Sequence, residues 1–164
     1  MFELKRISKE AIPAALDKAE RYRLLSEPAE AESICLDVLH VDPGNQRALV
    51  ILLLALTDRF GKGYSVGLTR AQDVLPRLQG EYERLYYAGV IAERRAKAQL
   101  QQGALGFVAG DWLREAMDFY EQASKLRPPG NDDAILRWNT CARIIDQNRL
   151  PEAGPEERQE MGLE

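Results

Sequence analysis

The sequence predicts an all-α protein, arranged as an α-solenoid of about three helix pairs with a C-terminal capping helix. Almost every segment carries apolar residues at helical spacing, and little of the chain alternates as a strand does. Two stretches also share one pattern: a small residue, a larger one four positions later, an apolar one three after that and a proline five beyond. The pattern comprises Ala31, Cys35, Val38 and Pro43 in one stretch, and Ala116, Tyr120, Ala123 and Pro128 in the other. A helix that packs closely on a neighbour and ends at a proline turn favours stacked helix pairs.

Four helices are predicted in the first half of the chain. They cover residues 8–25, 27–41, 45–59 and 65–78. Ser26 is the expected N-cap of the second helix, which has Pro28 in its first turn. The third helix is apolar on nearly every side over residues 48–56, so we expect it to be surrounded by protein.

Three further helices are predicted in the second half. The fifth covers residues 81–102 and leads into an apolar, glycine-rich connection over residues 103–110. Asp111 is the expected N-cap of the sixth helix, and Asn131 that of the seventh. Residues 149–164 are acidic and poor in apolar side chains, so we expect them to form a disordered tail.

Composition narrows the class of protein. With 164 residues and 45% hydrophobic side chains, the chain can bury one sizeable core, and we expect a single helical domain over residues 1–148. A formal net charge of −4 argues against a general nucleic-acid binder. The longest apolar run is far too short for a membrane span, and no signal segment is evident, so a cytoplasmic location is expected. Cys35 and Cys141 are expected to be buried, reduced thiols.

The repeated pattern resembles the tetratricopeptide repeat (TPR) family and its small bacterial-type members. In that family the first helix of a repeat carries W-x2-L-G-x2-Y, and the second carries A-x3-F-x2-A before a proline. The two stretches described above match the second-helix pattern, and Gly89 occupies the glycine slot of the first helix. The resemblance implies repeats at about residues 12–45, 46–81 and 82–130, with a capping helix over residues 131–148.

The resemblance also implies a non-enzymatic scaffold that holds a peptide or helix of a partner protein in a concave groove. The first helices of successive repeats line such a groove. Carried over by slot, its charged and aromatic side chains are Glu20, Arg23, Arg47, Asp58, Tyr86 and Arg94, and its apolar ones include Leu16, Val50, Leu54 and Val90. The partner is an unidentified protein or peptide, and the acidic tail is an alternative occupant.

Other interpretations of these residues stay open. Tyr86 and its neighbours could pack against the third and fourth helices, and Glu93 to Lys97 could form a solvated helix face. A second function is self-assembly into a homo-oligomer through Leu105, Phe107 and Val108, unless these residues fold back onto their own helices.

An enzyme is the least favoured class. No paired carboxylates, nucleophile–base set or metal-ligand spacing stands out, so we expect no catalytic residue, cofactor or metal site. Aspartates and glutamates are expected on helix surfaces or at caps. His40, the only histidine, lies at the end of the second helix, where a capping role is sufficient.

Overall fold

The structure, a computed structural model, describes residues 1–62, 65–152 and 154. Within this part of the chain there are seven α-helices and no strand, which confirms the all-α class. None of the helices is long and apolar enough to cross a membrane, as judged over the same residues. The chain divides into two compact units, Met1–Gln79 and Gly80–Glu164.

The first unit contains four helices in which each packs on the next. They are α1 (Ile12–Leu24), α2 (Pro28–Val41), α3 (Gln46–Asp58) and α4 (Ser65–Val74), with short 3-10 turns at Lys9–Ala11, Phe60–Lys62 and Leu75–Arg77. α2 packs against α1 and α3, α4 packs against α3, and α1 also contacts α3.

The third helix forms the core of the first unit, as its apolar run predicts. Seven of its residues are buried apolar side chains: Ala48, Leu49, Ile51, Leu52, Leu53, Ala55 and Leu56. Its start is fixed by Asn45, whose side-chain oxygen accepts a hydrogen bond from the Ala48 N–H at 2.9 Å.

Ser26 does not cap α2 as predicted. It lies in the left-handed region with φ 61°, and its N–H binds the Arg23 carbonyl while the Glu27 N–H binds the Tyr22 carbonyl. These are the two hydrogen bonds that close the end of a helix around a left-handed residue. Ser26 therefore ends α1, and Glu27 precedes α2 without a side-chain cap.

The second unit contains three helices, and its central helix packs on the other two. They are α5 (Glu81–Gln101), α6 (Gly106–Lys125) and α7 (Asp133–Asn148). A Cβ on Gly89 would lie 2.6 Å from the Tyr120 ring. Glycine at this position of α5 therefore lets the aromatic ring of α6 lie directly against the helix backbone.

The predicted connection over residues 103–110 is wrong in extent, because α6 begins at Gly106 and not after Asp111. α5 is ended by Gly103, which lies in the left-handed region with φ 75°. This conformation lets the N–H of the next residue, Ala104, donate a hydrogen bond to the Gln99 carbonyl. The carbonyl of Leu105 then accepts the first hydrogen bond of α6, from Val108. The N-cap position of α7 is Asp132 and not Asn131, although the Asn131 side-chain oxygen accepts a hydrogen bond from the Asp133 N–H at 3.0 Å.

α7 ends at Asn148, and the next residue, Arg149, lies in the left-handed region with φ 51°. The next residue, Leu150, is buried, although the sequence analysis assigned it to the tail. Its N–H binds the Ile145 carbonyl at 3.0 Å. Residue 153 and residues 155–164 of the predicted disordered tail lie outside the described residues.

Candidate functional site

The face shared by α1 and α3 carries four of the predicted groove residues. Arg47 donates to both carboxylate oxygens of Glu20, at 3.2 and 2.9 Å, and also to Asp17 at 2.7 Å. The hydrogen bonds to these exposed carboxylates raise the pKa of the Arg47 guanidinium above its ordinary value, and Glu20 makes the larger contribution. Glu20 and Arg47, both predicted on the groove face, are therefore in direct contact.

Arg23 and Asp58 form a second link between the same helices. Arg23 donates from Nε and Nη2 to the two carboxylate oxygens of Asp58, at 2.7 and 3.1 Å. Both side chains are about one-fifth exposed, and the paired geometry is the strong form of an arginine–carboxylate contact. These two ion pairs join α1 to α3 at two points of the shared face.

Apolar side chains lie between these two links. Val50 and Leu54 are half-buried on α3, at the helical spacing that joins Arg47 to Asp58. Leu16, which was predicted to face the groove, is buried in the core. The face is therefore a short apolar stripe with an ion pair at each end.

An open cleft continues this face beyond the C-terminal ends of α1 and α3. Its volume is about 570 Å³, and it is lined by Arg23, Leu24, Ser26, Glu27, Pro28, Ala29, Asp58, Arg59 and Lys62. Three of these side chains are cationic and two are anionic. Arg59 is held by Glu32, a buried carboxylate of α2 that also pairs with Arg70.

In the second unit, Tyr86 lies inside a group of aromatic rings. It stacks on Tyr82 with the ring centroids 5.8 Å apart, meets Tyr87 edge-on at 5.0 Å and contacts Tyr120 of α6 at 5.7 Å. Burial raises the pKa of Tyr87 to about 12. The alternative considered for Tyr86 was packing against the third and fourth helices. The ring instead packs on Tyr120 of α6. A Tyr86→Ala variant would disturb this packing as well as any partner contact.

Glu93 occupies a site that the sequence analysis missed. It was expected on a solvated face, yet it is wholly buried. Its Oε2 accepts from Lys97 and Arg137, both at 2.8 Å, and its Oε1 accepts from the Tyr120 hydroxyl at 3.2 Å and the Cys141 thiol at 3.6 Å. The only local signal was the i,i+4 spacing of Glu93 and Lys97, because the other partners come from α6 and α7.

The remaining candidates differ in their exposure. Arg94 is half-buried on α5, whereas Val90, which was also predicted for the groove, is fully buried and cannot line it. Leu105 precedes α6 and is exposed, whereas Phe107 and Val108 are half-buried in its first turns.

The two cysteines are buried, whereas the histidine is exposed. Burial raises the pKa of both Cys35 and Cys141 to about 12, so neither is poised as a thiolate. His40 is exposed in the last turn of α2. Over the described residues, no group of three or more histidine, cysteine or acidic side chains is placed to hold a metal ion.

Comparisons with protein-family models, with curated proteins and with solved structures find no significant match.

Proposed function

We propose that this protein is a non-enzymatic scaffold of TPR-like repeats that binds a peptide or helix of a partner protein. The observation that supports the proposal most is the direct contact between α1 and α3, which would be the first helices of two successive repeats. The ion pairs Glu20–Arg47 and Arg23–Asp58 join them on the predicted groove face. α2 packs against both, as the second helix of a repeat would.

The second unit supports the same proposal by a different contact. In TPR-like pairs the glycine slot of the first helix and the aromatic slot of the second should meet, because a small residue allows two helices to cross closely. Gly89 and Tyr120 occupy these slots, and the Tyr120 ring lies directly over Gly89.

The proposed groove would act by rigid presentation. Arg23 and Arg47 are already held by carboxylates, so little side-chain entropy remains to be lost when a partner binds. Val50 and Leu54 would contact the apolar side of a bound helix, and the flanking ion pairs would set its orientation. Tyr86 and Arg94 stay proposed contacts of the second unit.

The proposal is tested by affinity capture from native cell extract with Arg47→Glu as the probe variant. Lys18→Glu is the matched control, since it makes the same charge change about 200° around α1 from Glu20. We expect a partner that wild type and Lys18→Glu recover and Arg47→Glu loses. Exposed ion pairs contribute at most about 1 kcal/mol, so the circular dichroism of both variants should match wild type. Equal recovery by both variants would contradict the α1/α3 site.

Self-association is a second candidate function, favoured by the exposure of Leu105. Its side chain is 66% exposed immediately before α6, next to the half-buried Phe107 and Val108. Sedimentation velocity over a wide concentration range should show an oligomer that Leu105→Lys weakens. Leu136→Lys is the control, because Leu136 on α7 is 62% exposed. A wild-type protein that stays monomeric at high concentration would exclude this function.

A further inference from the structure

The first turns of α6 hold an extended segment of the same unit. Leu150 and Pro151 pass over Gly106 and Gly110, which lie one helical turn apart. A Cβ on Gly106 would stand 3.5 Å from Leu150 and 3.6 Å from Pro151, whereas one on Gly110 would stand only 2.8 Å from the Pro151 carbonyl oxygen. Leu150 is buried in this position, so the two glycines form the floor of an apolar seat.

Arg114 clamps the segment from one side. Its Nη2 donates to the Leu150 carbonyl at 3.0 Å, and its Nη1 donates to the Pro151 carbonyl at 3.2 Å. Its Nε lies 3.6 Å from the Glu152 carboxylate, and Asp111 lies 3.9 Å from Nη1. Two of these contacts recognise backbone carbonyls, which any extended peptide offers, and the contact with Glu152 favours an acidic side chain after the proline.

The segment is held against a local cost. Pro151 lies by Gly106 and Gly110, and the Glu152 carboxylate lies near the guanidinium of Arg114. The chain enters the seat through Arg149, whose left-handed backbone is unfavourable for a residue other than glycine. The contacts of residues 150–152 with α6 therefore hold the chain in place after its turn at Arg149.

We propose that Gly106, Gly110 and Arg114 form a binding site for an extended Leu-Pro-acidic peptide, and that residues 150–152 occupy it as an autoinhibitory strap. The ligand class follows from the seat: an apolar side chain over the glycines, two carbonyls for the guanidinium and a carboxylate at its far edge. A tethered strap has an effective concentration in the millimolar range, so a free peptide would enter only when the strap is weakened.

The seating of the strap is tested by a pair of glycine substitutions in α6. Gly110→Ala would bring a methyl group to 2.8 Å from both the Pro151 carbonyl oxygen and the Arg114 guanidinium that holds the segment, whereas Gly106→Ala adds one at ordinary contact distance. Alanine favours the helix at both positions, so α6 should persist in each. Trypsin cleavage of the Arg149–Leu150 bond, followed by intact mass, should be roughly tenfold faster in Gly110→Ala than in Gly106→Ala. Equal cleavage rates in the two variants would overturn the proposal.

Binding in trans is tested with a fluorescein-labelled peptide of sequence RLPEAG, which reproduces residues 149–154. The full chain carrying Leu150→Asp should bind it at least about tenfold more tightly than wild type, because an aspartate leaves the buried seat empty. The double variant Leu150→Asp/Gly110→Ala should lose this gain, and a scrambled peptide should not bind. Anisotropy that is equal for wild type and Leu150→Asp, or unaffected by Gly110→Ala, would refute the binding site. The cleavage comparison needs no Leu150 variant, so it stands even where Leu150→Asp fails to fold.

Discussion

Replacing Glu93 by glutamine should destabilise the second unit strongly. The substitution keeps the shape of the side chain and removes its charge. Lys97 and Arg137 both donate to the Glu93 carboxylate, and they would be left facing a neutral amide. The Tyr120 hydroxyl would also lose a charged acceptor in a buried position.

The magnitude follows from the burial of the groups. Removing one member of a buried ion pair costs about 3–5 kcal/mol, because the remaining charge is uncompensated. Lys97 is 35% and Arg137 30% exposed, so water can partly solvate both cations after the change. We therefore expect the lower end, about 3 kcal/mol, which corresponds to a fall of roughly 12–24 °C in the Tm of a unit of this size.

Urea unfolding followed by tryptophan fluorescence isolates this effect. The two tryptophans of the chain, Trp112 and Trp138, both belong to the second unit, so the signal does not report on the first. Glu121→Gln on the exposed face of α6 makes the same chemical change, and it should alter the unfolding free energy by less than about 0.5 kcal/mol.

A double-mutant cycle separates the ion pair from simple packing. Arg137→Gln in the Glu93→Gln background should cost at least about 1 kcal/mol less than Arg137→Gln alone, since its partner is already neutral. A loss below about 1 kcal/mol for Glu93→Gln, or additive effects in the cycle, would refute the role assigned to this network.

Three further predictions follow from local geometry. Gly89→Ala should destabilise the second unit by about 1–3 kcal/mol, because the added Cβ would overlap Tyr120. Gly67→Ala, whose nearest neighbours are at 3.6 Å, should be neutral or slightly stabilising. Equal shifts of the urea midpoint in the two variants would contradict this. Ser26→Gly should raise the free energy of unfolding of the first unit by up to about 1 kcal/mol, since glycine adopts φ 61° without strain, and the urea midpoint followed by circular dichroism should rise with it; a lower midpoint would count against it. The Cys141 thiol has its pKa raised from 9.0 to about 12, so its contribution to stability is complete below pH 9 and lost as the pH rises toward 12; Cys141→Ala should flatten that decline, and an unchanged slope would disprove the assignment.

Local patterns predicted the helices well because their causes are local. The turn residues Asn45 and Gly103 end or begin helices through hydrogen bonds to residues within five positions. The apolar run of α3 could be recognised as core because residues 48–56 are apolar on nearly every side of the helix. The TPR resemblance placed Glu20, Arg23, Arg47 and Asp58 on one face, but it did not predict the pairing of Glu20 with Arg47 or of Arg23 with Asp58.

Errors arose where a short pattern had two physical explanations. Gly106 and Gly110 suggested a loop, but both lie within α6. A residue without a side chain fits there because Leu150 and Pro151 pass close over the helix. Ser26 suggested an N-cap, but its left-handed backbone ends the preceding helix. Each of these outcomes depends on a neighbour that the local window does not contain, or on a dihedral angle that residue type does not dictate.

The sequence by itself determined the all-α class, the approximate helix limits and the apolar core of α3, because periodicity and turn chemistry act within a few residues. Only the tertiary structure decided that Glu93 is buried and that Leu150 fills a seat on α6. The partners of Glu93 on α6 and α7 are 27 to 48 residues away, and Arg114 binds Leu150 across 36. Whether a polar side chain faces water or a counter-charge is set by contacts at that range, since folding alone brings the two groups together.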